Sequence, residues 1–206
     1  MQKNLAPTKG NLMTAKNTLR LSRQGYEMLD KKRNILVREM MQLIEEAKTV
    51  EAKIEETFAA AYRALELANI TMGVKKVQDI AHSAVFADSV SIALRSVMGV
   101  EIPVVRADTP LKRPSYGFYD TSSALDEATV KFNEVKTMTV RLTEIENAVY
   151  RLAMNIKKTQ KRANALENIT IPFYEQVSKD IQNVLEEKER EEHTRLKIIK
   201  RGKEEN

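Results

Sequence analysis

Residues 12–68 read LMTAKNTLRLSRQGYEMLDKKRNILVREMMQLIEEAKTVEAKIEETFAAAYRALELA, and their spacing decides the fold. Leu12, Leu19, Tyr26, Arg33, Met40, Ala47, Ile54, Ala61 and Ala68 recur every seven residues without a slip. A second row, Ala15, Ser22, Leu29, Leu36, Leu43, Val50, Thr57 and Ala64, trails the first by three residues. Side chains at this spacing line one stripe of a helix, which is buried against a second helix as the a/d seam of a coiled coil. Pro7 precedes the run and no proline interrupts it. Thr8 or Asn11 can cap its start, and Asn69, Thr71 and Gly73 weaken the pattern after Ile70. At about 1.5 Å per residue such a helix reaches on the order of 90 Å, too long for a small globular core.

The other end of the chain carries a matching stripe. Ala128, Val135, Leu142, Val149, Ile156, Ala163, Thr170, Val177 and Val184 stand at strict sevens. Their companions are Ile145, Leu152, Thr159, Leu166 and Phe173, after which the row passes to Tyr174 and Ile181, so the seam drifts round the helix. This helix is expected to begin at Ser122 or Ser123, to continue through Pro172 with a kink, and to fade after Ile199, ahead of Gly202. The predicted fold is mainly α, a long antiparallel two-helix coiled coil made by the N- and C-terminal helices. Residues 1–70 form the first shaft helix, 71–121 a small middle segment, and 122–206 the second shaft helix, one coiled-coil domain in all. A parallel homodimer would favour branched aliphatics where this seam has Ala47, Ala61, Ala64, Ala68 and Arg33, so the intramolecular hairpin is preferred. Arg33 in the seam costs stability and is expected to set register or to face a partner.

The middle segment changes character. Residues 74–88 suit a short amphipathic helix. VSIALRSV (90–97) and VEIPVVR (100–106) flank Met98 and Gly99 and predict a β-hairpin, with Pro103 confining the second strand to an edge or a bulge. TPLKRPSYGFY (109–119) reads as a Pro/Gly loop whose aromatic residues are expected to pack on the hairpin.

Composition narrows the function. The chain has 206 residues, 31% of them charged and 5% aromatic, with no Cys and no Trp, which suits wet helices with one buried stripe. The absence of cysteine excludes a disulfide framework and a thiolate metal site and fits a cytosolic setting. His82, Asp88 and Arg95 break the apolar stretch 80–105, so no direct membrane span is expected, and the N-terminus lacks the apolar core of a secretory signal. There is no GxxxxGK[ST] loop, no HExxH and no GxSxG, and the only imidazoles are His82 and His193. Catalytic, cofactor-binding and metal-ligating residues are therefore all read as none. The net charge of +5 is concentrated. Lys31, Arg33 and Arg38 lie in one basic stretch, and Lys157, Lys158, Lys161 and Arg162 in another. Antiparallel pairing brings the two stretches together as a positive collar. No aromatic residues interleave with them, which argues against nucleic acid and leaves two readings, solvated helix faces or a contact for an acidic partner surface.

Several stretches carry a family resemblance: KRANALENITIP (161–172), LEEKEREE (185–192), RLKIIK (195–200), PTKGNL (7–12), LDKKR (29–33) and SVMGVEIP (96–103). Together they resemble the D subunit of V-type and A-type rotary ATPases over nearly the whole chain. Ala163 and the pair His193 and Thr194 depart mildly from the family's pattern. The resemblance implies a central rotor shaft whose coiled coil enters a catalytic A/B hexamer and whose hairpin segment lies toward the membrane end. It further implies docking of an F subunit beside the shaft, near 45–70 and 125–150, and a C/d subunit linking it to the ion-carrying membrane ring. Nucleotide is then cleaved on A and B alone, with this chain peripheral on the cytoplasmic face of a membrane. The residues by themselves leave open a free-standing coiled-coil adaptor or a prefoldin-like binding protein.

Overall fold

Thr8 accepts the Asn11 backbone N–H at 3.2 Å, satisfying one of the donors left bare at the start of a helix. From there the computed structural model, which describes residues 6–83, 90–107, 116–119 and 121–204, runs with little interruption in helix. Its elements are α1 (Lys9–Met72), α2 (Val74–Ser83), β1 (Val90–Val97), β2 (Val100–Ala107), α3 (Ser123–Ala165), a π-helical turn (Leu166–Thr170) and α4 (Ile171–Glu204). The fold is mainly α, with the N- and C-terminal helices wound antiparallel and a small hairpin between them in sequence. Not one residue of either α1 seam row is exposed, and Ala15, Ser22, Leu36, Ile54, Ala61, Ala64 and Ala68 are buried. On the returning strand Ala128, Val135, Ile145, Leu152, Thr159 and Ala163 are buried, while Leu142, Val149, Ile156, Leu166 and Val177 are half-buried.

The contacts divide the chain into two units, Met1–Asn34 with Lys157–Asn206, and Ile35–Ile156. In the first, Lys9 pairs with Glu189 at 2.9 Å, Lys16 with Gln182 at 3.2 Å, and Arg23 with Glu175 at 2.6 Å. Each step of seven up α1 is a step of seven down α4, which makes the pairing antiparallel. The fully buried positions here are mostly small: Ala15, Ser22, Thr159, Ala163 and Ser178, with Ile181.

The second unit pairs the rest of α1 with α3, again antiparallel, through Glu46 with Arg141, Tyr62 with Phe132 and Thr71 with Ser122. It buries larger groups. Leu36, Ala148 and Leu152 share a core with Val100 and Ile102 of β2, flanked by Met40, Leu43, Val97 and Ile156. A second cluster joins Ala68, Val77 of α2 and Leu125 of α3. Gly73, at φ +86, ends α1 in the left-handed conformation that glycine adopts without a steric cost, and α2 starts at the next residue.

The hairpin is built as its sequence predicts. Met98 and Gly99 both have positive φ, the two-residue turn whose twist matches antiparallel strands. Val97 faces Val100 across it, and Leu94 faces Pro103. Counting outward from the hydrogen-bonded pair that closes the turn, Leu94 and Pro103 fall in a non-bonded pair, so the missing proline N–H points away from the ladder. No bulge is needed, and β2 is an edge strand because the sheet has only two strands.

Two expectations need correction. Helix α4 does not fade after Ile199 but continues through Gly202 to Glu204. A single glycine among helix-forming Lys, Arg and Glu costs only about 1 kcal/mol. At Pro172 the helix continues, as expected, and a π turn stands immediately before it. Tyr116 packs on the cluster of Ala68, Val77 and Leu125, not on the hairpin, because its hydroxyl finds Asp126 in the first turn of α3 at 2.5 Å. Phe118 and Tyr119 are exposed. Residues 84–88 of the expected short helix and 109–115 of the expected loop lie outside the described residues.

Two variants test this packing by reversible thermal or denaturant unfolding. Leu152, fully buried between α1 and the hairpin, should lose about 2–5 kcal/mol of stability on Leu152→Ala. Met98→Asn should raise stability by about 1 kcal/mol, because asparagine tolerates the left-handed position that methionine occupies there at a steric cost.

Candidate functional site

Charged residues on the two units fall into those satisfied within the chain and those left to solvent. Arg141 is of the first kind. It reaches Glu46 on α1 and Glu144 one turn along α3, and the hydrogen bond to Glu46 is the main reason its guanidinium is held still more firmly protonated than usual. Glu144 in turn accepts the Val105 backbone N–H at 3.2 Å, and Arg151 donates to the Glu101 carbonyl at 3.2 Å. These are outward-pointing backbone groups of β2, on either side of donorless Pro103, so α3 covers that edge with side chains. Arg95 of β1 binds Glu39 at 2.6 Å. The hairpin is thus anchored by four charged residues beside its apolar contact. Beside it, Gly99, Val100, Glu101, Arg151 and Asn155 line an open depression of about 410 Å³, whose one cation already serves the Glu101 carbonyl.

The predicted collar residues are of both kinds. Arg33, half-buried in the seam, pairs with Asp30 and donates to Gln160 at 2.8 Å, so the cost of a seam cation is offset by partners on both helices. That contact sets residues 157–162 opposite Arg33 in the first unit. Lys31, Lys157, Lys158, Lys161 and Arg162 are exposed and make no ion pair among the described residues. Arg38, in the second unit, is exposed as well.

Sequence reasoning missed an aromatic step in the second unit. Phe58 stacks on Tyr62 at 5.9 Å between ring centroids, and Tyr62 meets Phe132 edge-on at 5.5 Å across the two helices. Tyr62 remains 59% exposed. The signal was present, since Phe58 and Tyr62 lie four apart and off the heptad rows, where a coiled coil has no need of aromatics. β1 presents a second apolar surface, with Val90, Ile92 and Leu94 exposed on one face.

Tyr26 and Gly25 mark the remaining feature. The Tyr26 phenol donates to Glu167, and that hydrogen bond raises its pKa above the ordinary tyrosine value. Gly25 faces Leu166, whose Cδ1 would lie 3.7 Å from an added Cβ. Both contacts fall on the π turn.

Among the described residues no group of His, Asp or Glu could hold a metal ion, and no helix is long and apolar enough to cross a membrane. The described residues present antiparallel helix pairs, a pinned hairpin, a basic flank that makes no ion pair among the described residues, and exposed aromatic and β-branched patches. A paired-helix protein carrying a small β-hairpin is the class this arrangement defines. The family model for the D subunit of ATP synthase matches residues 11–201, and the chain belongs to that family. The D subunit of the V-type ATP synthase of Thermotoga neapolitana is 44% identical over 196 residues, covering 95% of this chain and 97% of that protein. The D subunit of the A-type ATP synthase of Thermococcus kodakarensis is 36% identical and that of Pyrococcus furiosus 34%, each covering more than nine-tenths of both chains.

Gly25→Ala should stabilise the chain by about 0.5–1 kcal/mol, because the site has room for a methyl group and the helix no longer carries glycine's backbone entropy; thermal unfolding checks it.

Proposed function

We propose that this chain is the central-stalk rotor of a V/A-type rotary ATPase. It transmits torque between a catalytic A/B hexamer and a membrane ring, coupling ATP synthesis or hydrolysis to H⁺ or Na⁺ transport. The observation that carries the reading is the first unit, where both ends of the chain are wound together and their basic flank makes no ion pair among the described residues. Two helices joined along a seam resist twisting better than one, so a sideways push can become rotation. Exposed Lys and Arg side chains remain hydrated while they slide past acidic or carbonyl groups, which favours turning over locking. In this reading the chain makes no bonds itself, and it sits peripherally on the cytoplasmic face of a membrane.

Of the predicted collar, Lys31, Lys157, Lys158, Lys161 and Arg162 of the first unit face the hexamer, with Arg33 held within the coil. The F subunit occupies 45–70 and 125–150, where Phe58, Tyr62 and Phe132 supply rigid anchors of the kind that dominate protein interfaces. A C/d subunit joins the chain to the membrane ring.

Two measurements test the assignment. A tagged chain purified from mildly solubilised native membranes should bring down the A, B and F subunits; its recovery alone would refute the rotor reading. The variant K157E/K158E/K161E/R162E spares Arg33, whose guanidinium is engaged within the coil. It should remain fully helical by circular dichroism, assemble, and hydrolyse ATP with reduced ion movement per ATP. Unchanged coupling in the assembled variant refutes the collar.

A further inference from the structure

Within the first unit the fully buried positions of the C-terminal helices are Thr159, Ala163, Ser178 and Ile181. Ser178 lies fifteen residues after Ala163 and Ile181 twenty-two after Thr159, in each case one more than a whole number of heptads. Half-buried Phe173, Val177 and Val184 still flank the stripe at the old spacing, so its centre moves across by one residue. α1, facing it, keeps unbroken sevens from Leu12 to Arg33. Between its fully buried positions this side therefore carries one residue more than the sevens of α1 match.

The extra residue is absorbed in the π turn. The Ile171 N–H bonds the Leu166 carbonyl, five residues back, and the Thr170 hydroxyl likewise reaches back five, to the Ala165 carbonyl at 3.3 Å. A wider turn takes in one more residue without rotating the helix beyond it. Pro172 follows at once. It donates no hydrogen bond, and the wider turn draws the carbonyls of the preceding turn away from its ring. None of the five π residues is buried, and Ile169 is 68% exposed. Opposite stands Gly25, the one glycine of α1 in contact with this strand, with only van der Waals contact to Leu166. The widened hydrogen bonds, a missing donor, no buried side chain and a glycine opposite coincide over a few residues.

We propose that residues 166–172 form a torsional soft spot: the place in the first unit where the C-terminal helix opens and twists while the heptad packing on each side holds. The sequence retains a residue that the coil does not require, together with a proline that a stable helix would exclude. Its use in letting a loaded shaft take up angular displacement between steps rests on the rotor reading.

Hydrogen–deuterium exchange on the purified full chain reads the soft spot directly. Amides between 168 and 173 should exchange at least about tenfold faster than those of 158–164 and 176–184. A variant lacking Asn168 and carrying Pro172→Ala returns the spacing to seven and restores every donor. It should keep its helicity, melt no lower, and exchange across this segment as slowly as its flanks. Uniformly slow exchange in the unaltered chain, or fast exchange that survives the double change, overturns the proposal. In the assembled complex the same variant should still co-purify with A, B and F while coupled ATP turnover falls about twofold or more. Co-purification with unchanged turnover overturns the use assigned to the soft spot, whereas failure of the unaltered chain to bring down those subunits overturns the rotor reading instead.

Discussion

The burial of one narrow stripe on α1 against a helix running the other way is the constraint from which the other features follow. The chain is too rich in charge to bury more than that stripe, so the two helices must keep in phase over their whole pairing or lose it. In the first unit the fully buried positions are mostly small, Ala15, Ser22, Thr159, Ala163 and Ser178, with Ile181 the one large side chain among them. In the second unit the stripe carries Leu36, Ile145 and Leu152, and the larger side chains create a surface on which β2 can lay Val100 and Ile102. Farther along the same unit Ala61, Ala64 and Ala68 narrow the stripe again, so the hairpin is held where Leu36 and Leu152 stand.

Charge is distributed to match. On the hairpin side Glu39, Glu46, Arg95, Arg141, Glu144 and Arg151 are engaged with one another or with strand backbone, and they fix orientation where apolar contact alone would allow sliding. Along 157–162 the cations are left to solvent. A surface held rigid by internal pairs and a surface that keeps its charge available are different tools, and the described residues carry both.

Much of this was legible in the residues. The heptad rows foretold which side chains would be buried, including the position of Arg33, because a helix has one period and only one face at that period. The hairpin followed from β-branched runs around Met98 and Gly99, and its edge character from Pro103. The drift from Phe173 to Tyr174 was visible as well, but not its cause: a one-residue slip can be spread as a change of supercoil or gathered into one widened turn, and the choice depends on how the helix before Pro172 packs on α1, where Gly25 faces Leu166. Nor could the row of letters show that Tyr116 would leave the hairpin for Asp126, or that Phe58, Tyr62 and Phe132 would converge from helices some seventy residues apart in sequence.

Periodicity, caps and turn residues act between near neighbours, so the order of letters was sufficient to specify the helices, the hairpin, the buried stripe and the family to which the chain belongs. Which helix residues receive the hairpin, which cations find partners and where the surplus residue is absorbed are contacts between segments distant in sequence. Their outcome depends on competing distances and volumes that exist only once the chain has folded back on itself, and those the tertiary structure alone decided.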